Sequence, residues 1–267
     1  MNLELLHETP KTPKAEAPPI LFLHGAWHGA WCWQEHFMPY FAQQGYETYA
    51  MSLRGHGNSP SNAPINSYSL QDYIDDLTSV VEQIGRPPII IAHSMGGFIL
   101  QKFLEKQSCA GGVLMAPLPP HGVLQFSTKL MFTKSYALPN LLRFNLKGLV
   151  KNTRRTRWAF FSDDVPEELV AQYTAKMVGE SFKAFLAFLF PKVKINYHTQ
   201  IPLMVLGAAR DNIFTVKDNQ KTAKKYNATL KIMDDVAHDM MLDTKHQEVA
   251  QLIIEWLDEQ FLSEKHS

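Results

Sequence analysis

Short runs of consecutive apolar residues alternate along this chain with longer stretches whose apolar positions recur every three or four residues. The runs at Ile20–Leu23, Glu47–Met51, Ile89–Ala92, Val113–Ala116, Leu203–Leu206 and Leu230–Met233 have the length of buried strands. Helical spacing appears over Trp33–Gln44, Leu70–Ile84, Met95–Lys106, Thr215–Tyr226 and His246–Phe261, with Leu77, Val80, Val81 and Ile84 forming one stripe. Strand and helix in alternation predict an α/β fold with a mainly parallel sheet flanked by helices. The Pro-rich stretch from Pro10 to Pro19 reads as a surface loop between a first strand and Ile20.

The alternation stops between Pro117 and Ile201, where helical and aromatic segments occur without a convincing strand. Prolines at 117, 119, 120 and 202 bracket this stretch, and their fixed φ suits a chain that leaves one layer and returns. The expected organisation is therefore a core from 1–118, an inserted helical cap from 119–200, and a second core part from 201–267.

Two junctions in this pattern carry chemistry. Ile89-Ile90-Ile91-Ala92-His93-Ser94-Met95-Gly96-Gly97 runs from a buried strand directly into a helix, with small residues two before and two after the serine. Such a turn strains the serine backbone and pushes its hydroxyl into the open. The competing reading is a serine that merely caps the helix. A hydroxyl becomes a useful nucleophile only beside a base, and the base needs an acceptor to hold its tautomer. Asp211, in the loop after Leu203–Leu206, and His238, in the loop after Leu230–Met233, both fall on the sheet edge where Ser94 sits. Three residues of the right types, in the order Ser, acid, His, predict Ser94 as nucleophile, His238 as base and Asp211 as its partner. Asp234, Asp235, Asp239 and Asp243 lie too close to His238 in sequence to be preferred, and His93 is expected to be structural.

The second junction is Ile20-Leu21-Phe22-Leu23-His24-Gly25-Ala26-Trp27. Gly25 permits a close backbone approach, so the amides of Ala26 and Met95 are the expected oxyanion donors. His24 is expected to brace the loop rather than exchange protons.

These segments, with Arg54-Gly55-His56-Gly57-Asn58-Ser59, resemble the α/β-hydrolase family over nearly the whole chain. His24-Gly25-Ala26-Trp27-His28-Gly29-Ala30-Trp31-Cys32-Trp33 resembles the branch holding plant methylesterases and hydroxynitrile lyases, whereas Arg54-Gly55-His56-Gly57 resembles a broader bacterial pattern. The resemblance implies an α/β-hydrolase fold and a serine esterase acting through an acyl-enzyme. It also implies how lyases of the branch differ, since they tend to carry Thr where Gly25 stands and Lys where Asp239 stands. A lyase, a carbon-carbon bond hydrolase using the same triad, or a non-catalytic ligand-binding member remain the alternatives.

Composition narrows the ligand. The 267 residues balance 26 basic against 26 acidic side chains, which gives no overall pull toward nucleic acid or anionic lipid. The partner expected is a small molecule, and the aromatic segment predicts an apolar acyl or aromatic ester held by Trp27, Phe126, Phe132 and Trp158. Lys151, Arg154, Arg155 and Arg157 read as a solvated helix face. Clustered His and Cys for zinc and glycine patterns for nucleotides are absent, so no metal or cofactor is expected. Two cysteines, no leader-like start and no apolar run of spanning length predict a cytoplasmic protein without integral membrane association.

Overall fold

A computed structural model describes residues 2–14, 16–193 and 201–262. Its centre is a seven-stranded sheet of β1 (Leu5–Glu8), β2 (Ile20–Leu23), β3 (Thr48–Met51), β4 (Ile89–His93), β5 (Gly111–Met115), β6 (Leu203–Ala208) and β7 (Thr229–Met233), in the order β1-β3-β2-β4-β5-β6-β7. Every pairing is parallel except β1 with β3. The expected fold class and all six expected strands are therefore present, with no end shifted by more than two residues. β2, β4 and β5 are buried along their whole length, which is why they read as unbroken apolar runs rather than as alternation.

Two apolar layers cover the two faces of the sheet. One gathers α1 (Trp31–Gln34), α2 (Phe37–Gln43) and α11 (His246–Phe261), and the other gathers α3 (Leu70–Ile84) and α4 (Met95–Phe103), with α10 (Val216–Tyr226) packed beside β6 and β7. The single helix expected over Trp33–Gln44 is instead two, broken at His36, whose backbone is not helical (φ −138°). The break lets Trp33 and Phe37 both reach full burial against Phe22. α3 is delimited by chemistry legible in its sequence: Ser69 and Asp72 form a reciprocal capping box, and Gly85 ends the helix at φ 76°.

Between β5 and β6 the described residues hold α5 (Leu124–Thr133), α6 (Ala137–Leu142), α7 (Thr153–Phe160), α8 (Glu167–Lys176) and α9 (Phe182–Leu189), and no strand. The last seven residues of the expected cap, 194–200, lie outside the described residues. No helix of the described residues is long and apolar enough to cross a membrane.

Candidate active site

The C-terminal ends of β2, β4, β6 and β7 bring the singled-out residues to one edge of the sheet, where open α/β sheets bind ligands. Ser94 follows β4 at φ 52° and ψ −115°, a left-handed conformation that a non-glycine residue adopts only when its surroundings enforce it. It occupies the N-cap position of α4, yet its side chain caps nothing, so the helix-capping reading fails. The neighbouring backbone is packed too tightly for side chains. A Cβ on Gly96 would stand 2.5 Å from the His24 carbonyl oxygen, and one on Gly25 would stand 2.7 Å from His93 Nδ1. These contacts set the Gly25-Ala26 turn against the serine.

Asp211 lies just after β6. Its Oδ1 accepts the amides of Ile213 at 2.6 Å and Phe214 at 3.1 Å, which leaves Oδ2 aimed at His238. His238 Nδ1 donates to that oxygen at 2.7 Å, between side chains that are 0% and 1% exposed. Nε2 of His238 is buried and has no hydrogen-bond partner among the described residues. The ring packs beside Phe160 and Phe214, both of which line the same cavity as Ser94. No direct hydrogen bond joins Ser94 to His238. Three of the four rejected acids are engaged elsewhere: Asp243 accepts from the Ser162 hydroxyl, Asp235 pairs with Arg210, and Asp239 pairs with His28.

Ala26 and Met95 both line the cavity beside Ser94. Met95 begins α4, where a first-turn amide has no intrahelical acceptor, and the Ala26 amide donates to no carbonyl among the described residues. His24 braces as expected. Its Nδ1 donates to the Gly25 carbonyl at 2.7 Å and its Nε2 accepts the Leu53 amide at 3.0 Å. Burial, reinforced by the nearby His56, holds its pKa well below the ordinary imidazole value, consistent with that neutral tautomer.

Behind these residues lies a buried cluster that sequence reasoning did not anticipate. His28 donates from Nδ1 to the Ala26 carbonyl at 2.7 Å, and its Nε2 lies 2.9 Å from an Asp239 carboxylate oxygen as a buried ion pair. Burial alone would depress His28 and raise Asp239, but each outweighs that effect in the other, so the imidazole is raised and the carboxyl lowered. His93 donates from Nε2 to the His238 carbonyl at 3.0 Å, and burial pushes its own pKa down to about 3. The cluster thus ties the Gly25-Ala26 turn, the serine turn and the His238 loop together. His93, His238 and Asp239 carry potential metal-ligand atoms within 4.8 Å of one another. The charge of Asp239 is already met by His28, so we read the group as an ion pair.

The cavity over Ser94 holds about 890 Å³ of space, open solvent at its mouth included. Trp27, Phe126 and Trp158 line it. Trp27 adopts φ 67°, and its indole donates to the Leu146 carbonyl at 3.2 Å, linking the Gly25-Ala26 turn to the helical segment. Phe132 is a correction: it is 89% exposed on the outer side of α5 and does not reach the cavity. Phe126 and Leu130 occupy the inner side of that helix instead. Glu180, missed by sequence reasoning, also lines the wall. It accepts from His56 at 3.1 Å and from the Tyr73 hydroxyl at 2.9 Å.

Residues 20–252 match the family model described as the alpha/beta hydrolase family. Methylesterase 18 of Arabidopsis thaliana is 26% identical over 156 residues, covering 56% of this chain and 54% of the relative, and Methyl jasmonate esterase 1 of Vitis vinifera is 32% identical over 90 residues, 33% of each. The chain thus spans about half the length of the first of these relatives and a third of the second. Among solved structures, an esterase from Exiguobacterium antarcticum superposes with a TM-score of 0.72 at 15% identity, covering 96% of this chain and 95% of its own. A bromoperoxidase from Bacillus anthracis also reaches 0.72, at 18% identity and 96% coverage of both. At such identities the likeness speaks for the fold, while the family match extends from β2 into α11 and takes in both junctions and the Asp211 and His238 loops. The chain belongs to the alpha/beta hydrolase family.

Proposed function

We propose that this chain is a serine esterase that cleaves small carboxylic esters with an apolar acyl or aromatic group. The reading is carried by the Asp211–His238 hydrogen bond, which leaves the other imidazole nitrogen without a partner among the described residues, in a ring packed against Phe160 and Phe214, two residues that line the cavity with Ser94. In the proposed reaction His238 Nε2 takes the Ser94 hydroxyl proton as Oγ attacks the ester carbonyl, and Asp211 stabilises the imidazolium. The amides of Ala26 and Met95 hold the negative oxygen, and His238 returns the proton to the departing alcohol. Water, activated by the same imidazole, then releases the carboxylate and regenerates the serine. None of these steps requires a metal or an organic cofactor.

The apolar preference rests on the cavity wall. Phe126, Leu130, Leu146, Val150 and Trp158 surround it, so burying an alkyl chain or ring is favourable there, at roughly 0.8 kcal/mol per methylene. The segment over the cavity acts as a cap in this reading. Two observations weigh against a lyase. Gly25 has no room for the Thr that lyases of the resembling branch carry, and Asp239 is committed to His28 where those lyases have Lys.

The test is labelling with a fluorophosphonate probe, followed by turnover of p-nitrophenyl esters of increasing acyl length, methyl esters and cyanohydrins. The esterase reading expects covalent labelling at Ser94 and ester cleavage that Ser94→Ala abolishes. Cyanohydrin cleavage without ester cleavage, or no labelling of folded protein, would overturn it.

A further inference from the structure

Charge is segregated along this balanced chain. Between Glu105 and Asp163 there are nine Lys and Arg and not one Asp or Glu, so the remainder carries the acidic excess. This stretch includes α5, α6 and α7. Lys129, Arg143, Lys147, Lys151 and Arg154 are exposed there, and no carboxylate pairs with any of them among the described residues. A solvated helix face accounts for a few such cations. It does not account for their coincidence with apolar exposure: all seven exposed large apolar side chains among the described residues lie between Leu124 and Phe190. Phe132 is 89% exposed, Leu142 70%, Phe144 58% and Leu138 47%. Leu138 and Leu142 are four residues apart on α6 and form one outward stripe.

The same surface carries two basic grooves. One is lined by Arg143, Lys147, Lys151 and Arg155, and another by Lys134, Arg154 and Arg155. Tyr136 borders both grooves and also the inner cavity over Ser94. The cations are held by local packing: the Arg155 guanidinium lies 4.0 Å from the Tyr136 ring centre, and the Lys134 ammonium 4.0 Å from that of Trp158. One thin wall therefore separates an apolar cavity from a surface that mixes protruding Phe and Leu with unpaired cations.

We propose that the outer surface of α5, α6 and the start of α7 docks on an anionic lipid bilayer. Phe132, Leu138 and Leu142 enter the acyl boundary, while the basic grooves meet the phosphate and carboxylate groups of the headgroups. A bilayer fits better than an acidic protein because the exposed Phe132, Leu138 and Leu142 stand on helix surfaces and line neither of the basic grooves beside them, so the apolar groups offer no groove for a complementary protein surface to fill. It also supplies both chemistries at once, negative charge at the plane and hydrocarbon just beneath it. Delivery of a lipid-soluble ester from the bilayer into the cavity behind Tyr136 is a consequence that rests on the esterase reading; docking itself does not.

The experiment is flotation of the full chain with vesicles of phosphatidylcholine alone or with about 30% phosphatidylserine, at low and high salt. The docking surface predicts binding to the anionic vesicles, loss of that binding as salt rises, and little binding to the neutral ones. Each basic side chain at such a surface changes partitioning roughly fivefold, so Lys147→Glu/Lys151→Glu should weaken binding about 100-fold or more. That variant should turn over a water-soluble short-chain ester like the parent. Phe132→Ser/Leu142→Ser should weaken anionic binding about tenfold. Ser94→Ala should bind like the parent, so failure of the esterase reading leaves the docking result intact. Absence of binding to anionic vesicles, binding indifferent to the charge reversal, or a dimer in light scattering that the Phe132 and Leu142 substitutions dissociate without any effect of lipid would each overturn the proposal.

Discussion

His93 donates from Nε2 to the backbone carbonyl of His238 across 3.0 Å, so the residue that precedes Ser94 in the chain holds the loop that carries the proposed base. Adjacent residues at a strand end point to opposite sides, and here the two directions serve different purposes: Ser94 lines the cavity while His93 is buried in the support beneath it. Replacing His93 with Phe keeps the volume and removes the donor. We expect kcat to fall about tenfold to 100-fold with KM little changed, because a misplacement of the imidazole by a fraction of an ångström affects the reacting geometry more than substrate binding. Steady-state kinetics on a p-nitrophenyl ester provides the check.

Asp239→Asn removes the counter-charge of a buried His28. Breaking one side of such a pair typically costs about 3–5 kcal/mol, so a large drop in thermal midpoint is expected. Asp239→Asn/His28→Gln should recover part of it, since no uncompensated charge then remains. A double variant no more stable than Asp239→Asn would show that the pair is not an energetic unit.

The same pair sets a pH window. His28 has a raised folded pKa, so its contribution is complete below the ordinary value of 6.5 and is lost as pH rises through the raised value. Asp239 has a lowered one, so its contribution is complete above 3.8 and is lost as pH falls through the lowered value. His93 works in the opposite direction from His28: buried and neutral down to about pH 3, it makes folding less favourable below 6.5, where the unfolded chain takes up the proton. Thermal unfolding followed from mildly acidic to alkaline pH should show an alkaline decline that is absent from His28→Gln. His93→Phe should lessen the loss on the acid side.

Gly25→Thr introduces a side chain into space already taken by His93 and Ser94. Displacing the Ala26 amide by this route should cost about 100- to 1,000-fold in kcat, the usual effect of losing one oxyanion donor. Retention of near-full activity would mean that the Ala26 amide is not such a donor.

Trp158→Ala and Phe126→Ala enlarge the cavity on walls supplied by α7 and α5, outside Ser94's own turn. Both should lower kcat/KM for medium-chain esters by about tenfold to 100-fold while changing acetate esters little, because the lost contacts are with the chain and not with the carbonyl. An equal effect at all acyl lengths would place the chain elsewhere.

The α/β sheet was legible because its strands are short apolar runs that only a doubly covered sheet can bury, as at Ile89–Ala92 and Val113–Ala116. The positions of Asp211 and His238 were legible for a related reason: in a parallel sheet, residues that follow strands share an edge. What the pattern did not carry is the phase of helices that touch no strand. In Leu124–Thr133 apolar residues occupy more than one side, so periodicity alone did not tell that Phe126 faces inward and Phe132 outward. The His28–Asp239 pair was hidden differently, since neither residue looks exceptional alone and only the fold brings them together across most of the chain.

The most direct measurement of the central claim is mass spectrometry of the folded chain after fluorophosphonate treatment, run beside Asp211→Asn. If Ser94 is activated by a His238 that Asp211 holds, the probe labels Ser94 alone, and the variant labels about 1,000-fold or more slowly at neutral pH while keeping its fold. Equal labelling rates for the two proteins, or modification at a serine other than Ser94, would contradict the account.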